Sequence, residues 1–186
     1  MPRIGIIVGS LSSTSINREV ARAMINLAPD GTELEIIDIA ALPMYSPDYD
    51  ANYPAAARTF KEHVESVDGV IIVTPEYLRS IPGVLKNALE WASRPWGTNS
   101  FNGKPVAIAG VSVGAIGTAA AQQGLRAILG HLNAPTMGQP ELFLRFSKEA
   151  FPGNGVVEDD AVAGLLSNYL TAASAHIELH APVGAR

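Results

Sequence analysis

The sequence predicts a doubly wound α/β fold in one domain over residues 1–186: a five-stranded parallel sheet of order 2-1-3-4-5 with helices on both faces. Three observations predict it. Five short runs rich in Ile, Val or Leu alternate with helical patterns, the mark of repeated strand-helix units. The first, third and fourth runs are almost continuously apolar rather than alternating, as expected of strands covered on both faces. Five such units favour this order over a six-strand dinucleotide fold. With 186 residues, 47% of them hydrophobic, the chain can bury one core and falls within the usual domain size of roughly 100 to 200 residues.

In chain order, the first strand covers residues 3–9 and leads through a polar loop to a helix over 16–28, whose start carries Ser15 and Asn17. A second strand at 32–38 is followed by a helix at 54–66 whose start signal is Pro54. The third strand covers 68–74, and Pro82 marks the start of its helix at 82–93. A fourth strand at 104–111 runs into a glycine-rich turn and a helix over 115–132. The fifth strand is expected at 136–144, and Asp159 starts a last helix ending near residue 180. Ser, Asn and Asp act as caps because their side chains accept from free first-turn amides, and Pro fits a helix start because it has no N–H to leave unpaired.

Right-handed crossovers bring the C-terminal ends of all the strands to one rim, and ligands of such sheets bind there, where strand order reverses. The loops after strands one, three and four therefore carry the candidate site. The first, Gly9-Ser10-Leu11-Ser12-Ser13-Thr14-Ser15-Ile16-Asn17, offers hydroxyls, an amide and exposed N–H groups at a helix start, an arrangement suited to a phosphate. A simple helix cap within a polar turn accounts for the same residues. The lysine of a nucleoside triphosphate loop and the spaced glycines of a dinucleotide loop are both missing.

Composition excludes other classes. A net charge of -5 without long runs of one sign argues against nucleic acid. The chain has no cysteine, so disulfides, thiol nucleophiles and thiolate metal sites are out, and a reducing cytoplasm is the expected setting. The start MPRIGIIVGS lacks the features of a signal peptide. Apolar runs such as Val70–Val73 fall far short of the roughly 20 residues that span a bilayer. His63 and His131 have no spaced ligand partners, so no metal is expected.

Gly110-Val111-Ser112-Val113-Gly114 matches the G-x-S-x-G elbow of serine hydrolases, with Asp159, Asp160, His176 and His180 following in hydrolase order. Both histidines, however, fall in or at the end of the terminal helix, away from the rim where a general base must stand. No HGGG-type oxyanion segment accompanies the motif.

Thr74-Pro75-Glu76-Tyr77-Leu78-Arg79-Ser80-Ile81-Pro82-Gly83, continuing through Lys86-Asn87-Ala88 and Trp91 to Ser93-Arg94-Pro95, resembles the TPEYNxSxPGxLKNAIDWxSRP signature of NADPH-dependent FMN reductases. That family includes quinone, chromate and azo-dye reductases. The first loop is similar to the family's GSLRxxSxN phosphate loop, and Gly110–Gly117 to its third flavin loop. The resemblance implies a flavodoxin-like fold, FMN as cofactor, NAD(P)H as co-substrate and a homodimer or homotetramer.

It further implies that Ser10, Leu11, Ser12, Ser15, Ile16 and Asn17 hold the phosphate. Pro75, Glu76, Tyr77, Leu78, Arg79 and Ser80 would lie along the ring, and Ser112 and Gly114 would let backbone approach its other side. The start of the helix after strand four would favour negative charge on the reduced flavin. Hydride passes through flavin N5 in a ping-pong cycle, so no protein acid or base is required. Leu78 stands where the family commonly has Asn, and Ser12 where it often has Arg, which predicts weaker FMN binding with Arg18 as the remaining nearby cation. Met44–Tyr53 would border the flavin mouth. A flavodoxin-like electron carrier without reductase activity is the alternative reading.

Overall fold

The structure is a computed structural model and describes residues 1–180; residues 181–186, the end of the expected domain, lie outside the described residues. Its strands are β1 (Arg3–Val8), β2 (Glu33–Ile37), β3 (Gly69–Thr74), β4 (Val106–Ser112) and β5 (Leu142–Arg145). Its helices are α1 (Ile16–Asn26), α2 (Ala55–Ser66), α3 (Gly83–Ser93), α4 (Ala119–His131) and α5 (Asp160–His180). All neighbouring strands are parallel, in the order β2-β1-β3-β4-β5, the predicted flavodoxin-like arrangement.

The unbroken apolar runs bury both faces of the sheet. Ile4, Ile6, Val8, Ile71, Val73, Ala107 and Ala109 turn toward a layer built with α1 and α5. The alternating positions Ile7, Val70, Ile72, Val106 and Ile108 meet α2, α3 and α4. A period of two thus splits β1, β3 and β4 between two cores, and every residue of β3 is buried.

Helix starts largely follow the expected chemistry. Ser15 caps α1 by accepting from Arg18 N, Pro54 and Pro82 precede α2 and α3, and Asp159 Oδ1 accepts from Ala161 and Val162 at α5. Asn17, read as part of the start signal, is no cap: it is 1% exposed and turns inward.

Two boundaries move by more than two residues. α4 begins at Ala119 rather than 115 because Gly117 and Thr118 are left-handed, with φ of 60° and 76°, a conformation that cannot continue a right-handed helix. β5 begins at Leu142 rather than 136: Pro135 and Pro140 lack N–H donors, and Thr136 makes only an isolated bridge to Val106. The 44–53 segment wraps Trp91, which is fully buried and donates to Pro43 O at 2.6 Å. Tyr45 and Tyr53 pack edge-on against that indole.

Candidate functional site

The loops after β1, β3 and β4 meet at the C-terminal rim. In the first, Ser10 is buried and its Oγ accepts from Ser12 N at 3.4 Å. Ser12 Oγ lies 3.2 Å from Thr14 Oγ1 and accepts from Thr14 N. These contacts arch the loop over the start of α1, where the first-turn amides of Ile16 and Asn17 lie beyond the reach of intrahelical acceptors. Leu11 is half exposed and Ser12 exposed, with Arg18 half-buried in the same turn. Hydroxyls, free amides and one cation at a helix N-terminus form a donor set that fits a phosphate monoester.

The Asn17 side chain turns inward. Its Nδ2 donates to Val111 O at 3.0 Å and its Oδ1 accepts from Val111 N at 3.1 Å. β3 pairs with β4 only as far as Gly110, while Ser112 faces β5 through the bond from Phe146 N. Val111 therefore points its backbone groups into the space beyond the end of β3, and the Asn17 amide stands in for the missing strand residue. The backbone N–H of Asn17, in the first turn of α1, has no intrahelical acceptor.

After β3, Thr74 Oγ1 donates to Pro75 O at 2.8 Å, holding the loop as it leaves the sheet. Tyr77 and Ser80 exchange backbone hydrogen bonds at 3.0 Å in both directions, so Leu78 and Arg79 form a two-residue turn with φ of 52° and 61°. Such turns favour Asn and Gly. An Asn at 78 would therefore suit the backbone, whereas Leu78 is left strained and fully exposed. Tyr77 is half exposed beside it.

The Glu76 side chain is held from two sides. Its carboxylate, 8% exposed, accepts from Arg79 at 2.8 Å and from Ala121 N at 3.0 Å. Its side chain caps α4, so a contact of Glu76 with a ring would run through its backbone. Burial alone would raise its pKa, but the Ala121 bond, the Arg79 bond and charge, and the Ala120 amide together hold it below the usual carboxylate range. The first turn of α4 therefore carries a fixed carboxylate at Ala121 N.

After β4, Ser112 Oγ bonds within its own turn, accepting from Gly114 N at 3.1 Å. Gly110 lies under this turn, where a Cβ would collide with Thr118 Oγ1 and stand 2.8 Å from Thr74 O. Gln122, 0% exposed, donates to Thr118 Oγ1 and Leu142 O. Thr118 and Gln122 escaped the sequence reading. The small residue at 110 was the signal that backbone approaches closely there.

The hydrolase pattern fails on geometry. His176 bonds Pro135 O at 3.1 Å, and Pro135 O accepts from Val106 N at the start of β4. Ser112 ends that strand, roughly 20 Å away at about 3.3 Å per residue. A cleft of about 830 Å³ lined by Arg94, Trp96, Lys104 and His131 also lies at this opposite rim. Among the described residues no three His, Asp or Glu side chains gather as a metal site, and no helix is long and apolar enough to cross a membrane.

Residues 2–149 match the family described as NADPH-dependent FMN reductase. The chain is 49% identical over 159 residues to a 2-hydroxy-1,4-benzoquinone reductase of Burkholderia sp, covering 85% of this chain and 87% of the relative. It is 40% identical over 167 residues to an NAD(P)H-dependent FMN reductase of Pseudomonas aeruginosa, covering 89% and 90%. Among solved structures it resembles FerB, a flavoenzyme NAD(P)H:acceptor oxidoreductase from Paracoccus denitrificans, with a TM-score of 0.93 and 37% identity over 98% of this chain and 100% of that one. Fold, three-loop rim and sequence agree: the chain belongs to the NADPH-dependent FMN reductase family, oxidoreductases that work with FMN and NAD(P)H.

Proposed function

We propose that the chain, as one domain, passes reducing equivalents from NAD(P)H to quinone-type acceptors, with hydroxylated benzoquinones the first to try. The observation that carries this is the joining of three loops at one rim: Asn17 ties the first to β4, and Glu76 ties the second to α4. The reading is supported by relatives named quinone reductase at 41% identity and 2-hydroxy-1,4-benzoquinone reductase at 49%.

Ser10, Ser12, Ser15 and the first-turn amides of α1 would hold the phosphate of FMN. The Pro75–Ser80 turn and the Ser112–Gly114 turn would flank its ring. When bound, FMN supplies a hydride acceptor and a two-electron donor. The chain contributes orientation and charge placement. Arg79, exposed but anchored to Glu76, offers a held cation at the slot mouth to an anionic hydroxyquinone or a nicotinamide nucleotide phosphate. One open mouth would serve both partners in turn, so the kinetics are ping-pong.

Anaerobic NADPH added to FMN-loaded protein should bleach the flavin absorbance, and varied NADPH and quinone should give parallel initial-rate lines. Persistent yellow would point to a carrier, and converging lines would rule out alternating use of one mouth. A homodimer or homotetramer is part of the proposal, with the exposed Trp96 under Arg94 a patch for an interface to cover; light scattering tests it.

A further inference from the structure

The start of α4 lacks a cap of its own. Thr118 precedes it in a left-handed conformation and makes no side-chain bond to the first turn; its Oγ1 is taken by Gln122. First-turn amides of a helix need an acceptor when they are not open to water. The acceptor here is Glu76, 45 residues away in sequence, through the bond from Ala121 N. Its other oxygen takes Arg79, three residues on. A single buried carboxylate therefore joins the turn after β3, the helix after β4 and the cation at the rim.

We propose that Glu76 is a positioning residue for the flavin slot, acting through the α4 N-terminus and Arg79 rather than as a ligand of the ring. The inference rests on the FMN reading of the rim. Two consequences follow from the geometry. The distance between the two walls of the slot is set by one side chain, so shortening that side chain loosens both walls. The local charge is also balanced, a carboxylate against a guanidinium and a helix end, so removing the carboxylate leaves an unmatched positive field at the slot that favours the reduced, more negative flavin.

The test uses the full chain with Glu76→Gln, Glu76→Ala and Arg79→Met. Glu76→Gln keeps an oxygen for Ala121 and removes the charge; Glu76→Ala removes both. In apoprotein, amide exchange at Ala120 and Ala121 should accelerate in both variants, more in Glu76→Ala. FMN affinity, read by fluorescence quenching, should fall roughly tenfold in Glu76→Ala and less in Glu76→Gln. The flavin midpoint potential should rise in Glu76→Gln and fall in Arg79→Met, opposite shifts that loosened packing alone would not produce.

Unchanged exchange and affinity in both Glu76 variants would overturn the proposal. So would a Glu76→Gln protein that loses FMN while its α4 amides stay protected, because that would make the carboxylate a direct ligand. Should the wild-type protein fail to bind FMN, the reading of the rim falls, yet amide exchange in apoprotein still decides whether Glu76 clamps α4. If Glu76→Ala does not fold, Glu76→Gln carries the same measurements.

Discussion

Replacing Asn17 by Ala should strongly destabilise the protein without touching the aliphatic core. Both hydrogen bonds of the Asn17 amide end on Val111, and Asn17 is 1% exposed, so water does not readily take its place. Each bond contributes about 0.5–1.5 kcal/mol net, and a buried group left unpaired costs about 1–3 kcal/mol. Together these give a loss of roughly 2–4 kcal/mol, against a total stability of about 5–15 kcal/mol for a domain.

Urea unfolding of the apoprotein followed by circular dichroism reads this directly. With a slope of about 2 kcal/mol/M, the midpoint should drop by roughly 1–2 M. Asn17→Asp provides a check on mechanism, since it keeps an acceptor for Val111 N but sets a carboxylate against Val111 O. That repulsion raises the folded-state pKa of the new carboxyl, so stability should recover as pH falls and the group becomes a donor again. A loss below about 1 kcal/mol for Asn17→Ala at unchanged slope would refute the account of Asn17 as a substitute strand residue.

Two further outcomes are expected. Leu78→Asn should raise stability by about 1 kcal/mol, because Asn tolerates the left-handed backbone at 78 better than Leu; thermal unfolding and FMN titration read the stability and the accompanying tighter binding, and an unshifted midpoint would contradict the strain. His176 has a lowered pKa, first from burial and then from His180 with ring centroids 4.6 Å apart, despite the opposing bond to Pro135 O. The unfolded chain takes up the proton first, so stability conferred by neutral His176 is lost as pH falls below about 6.5. His176→Gln should flatten that part of the profile, seen as a smaller gap between unfolding midpoints at neutral and mildly acid pH.

The strand-helix alternation, the doubly buried strands and the rim at which the loops gather were all legible in the sequence. Each depends on hydrophobic period and local start signals, which act over a few residues. The motif in the Pro75–Ser80 stretch pointed to one of those loops. What each polar residue does there was not legible. Asn17 and Glu76 stand at the candidate site, and the partners of their side chains lie 94 and 45 residues distant. The left-handed pair Leu78 and Arg79 became visible only when Tyr77 and Ser80 closed a turn across them. Chain periodicity decides which faces are buried. Which buried amide or carboxylate a distant backbone group meets is decided by strand ends and helix starts that coincide only after the sheet has assembled.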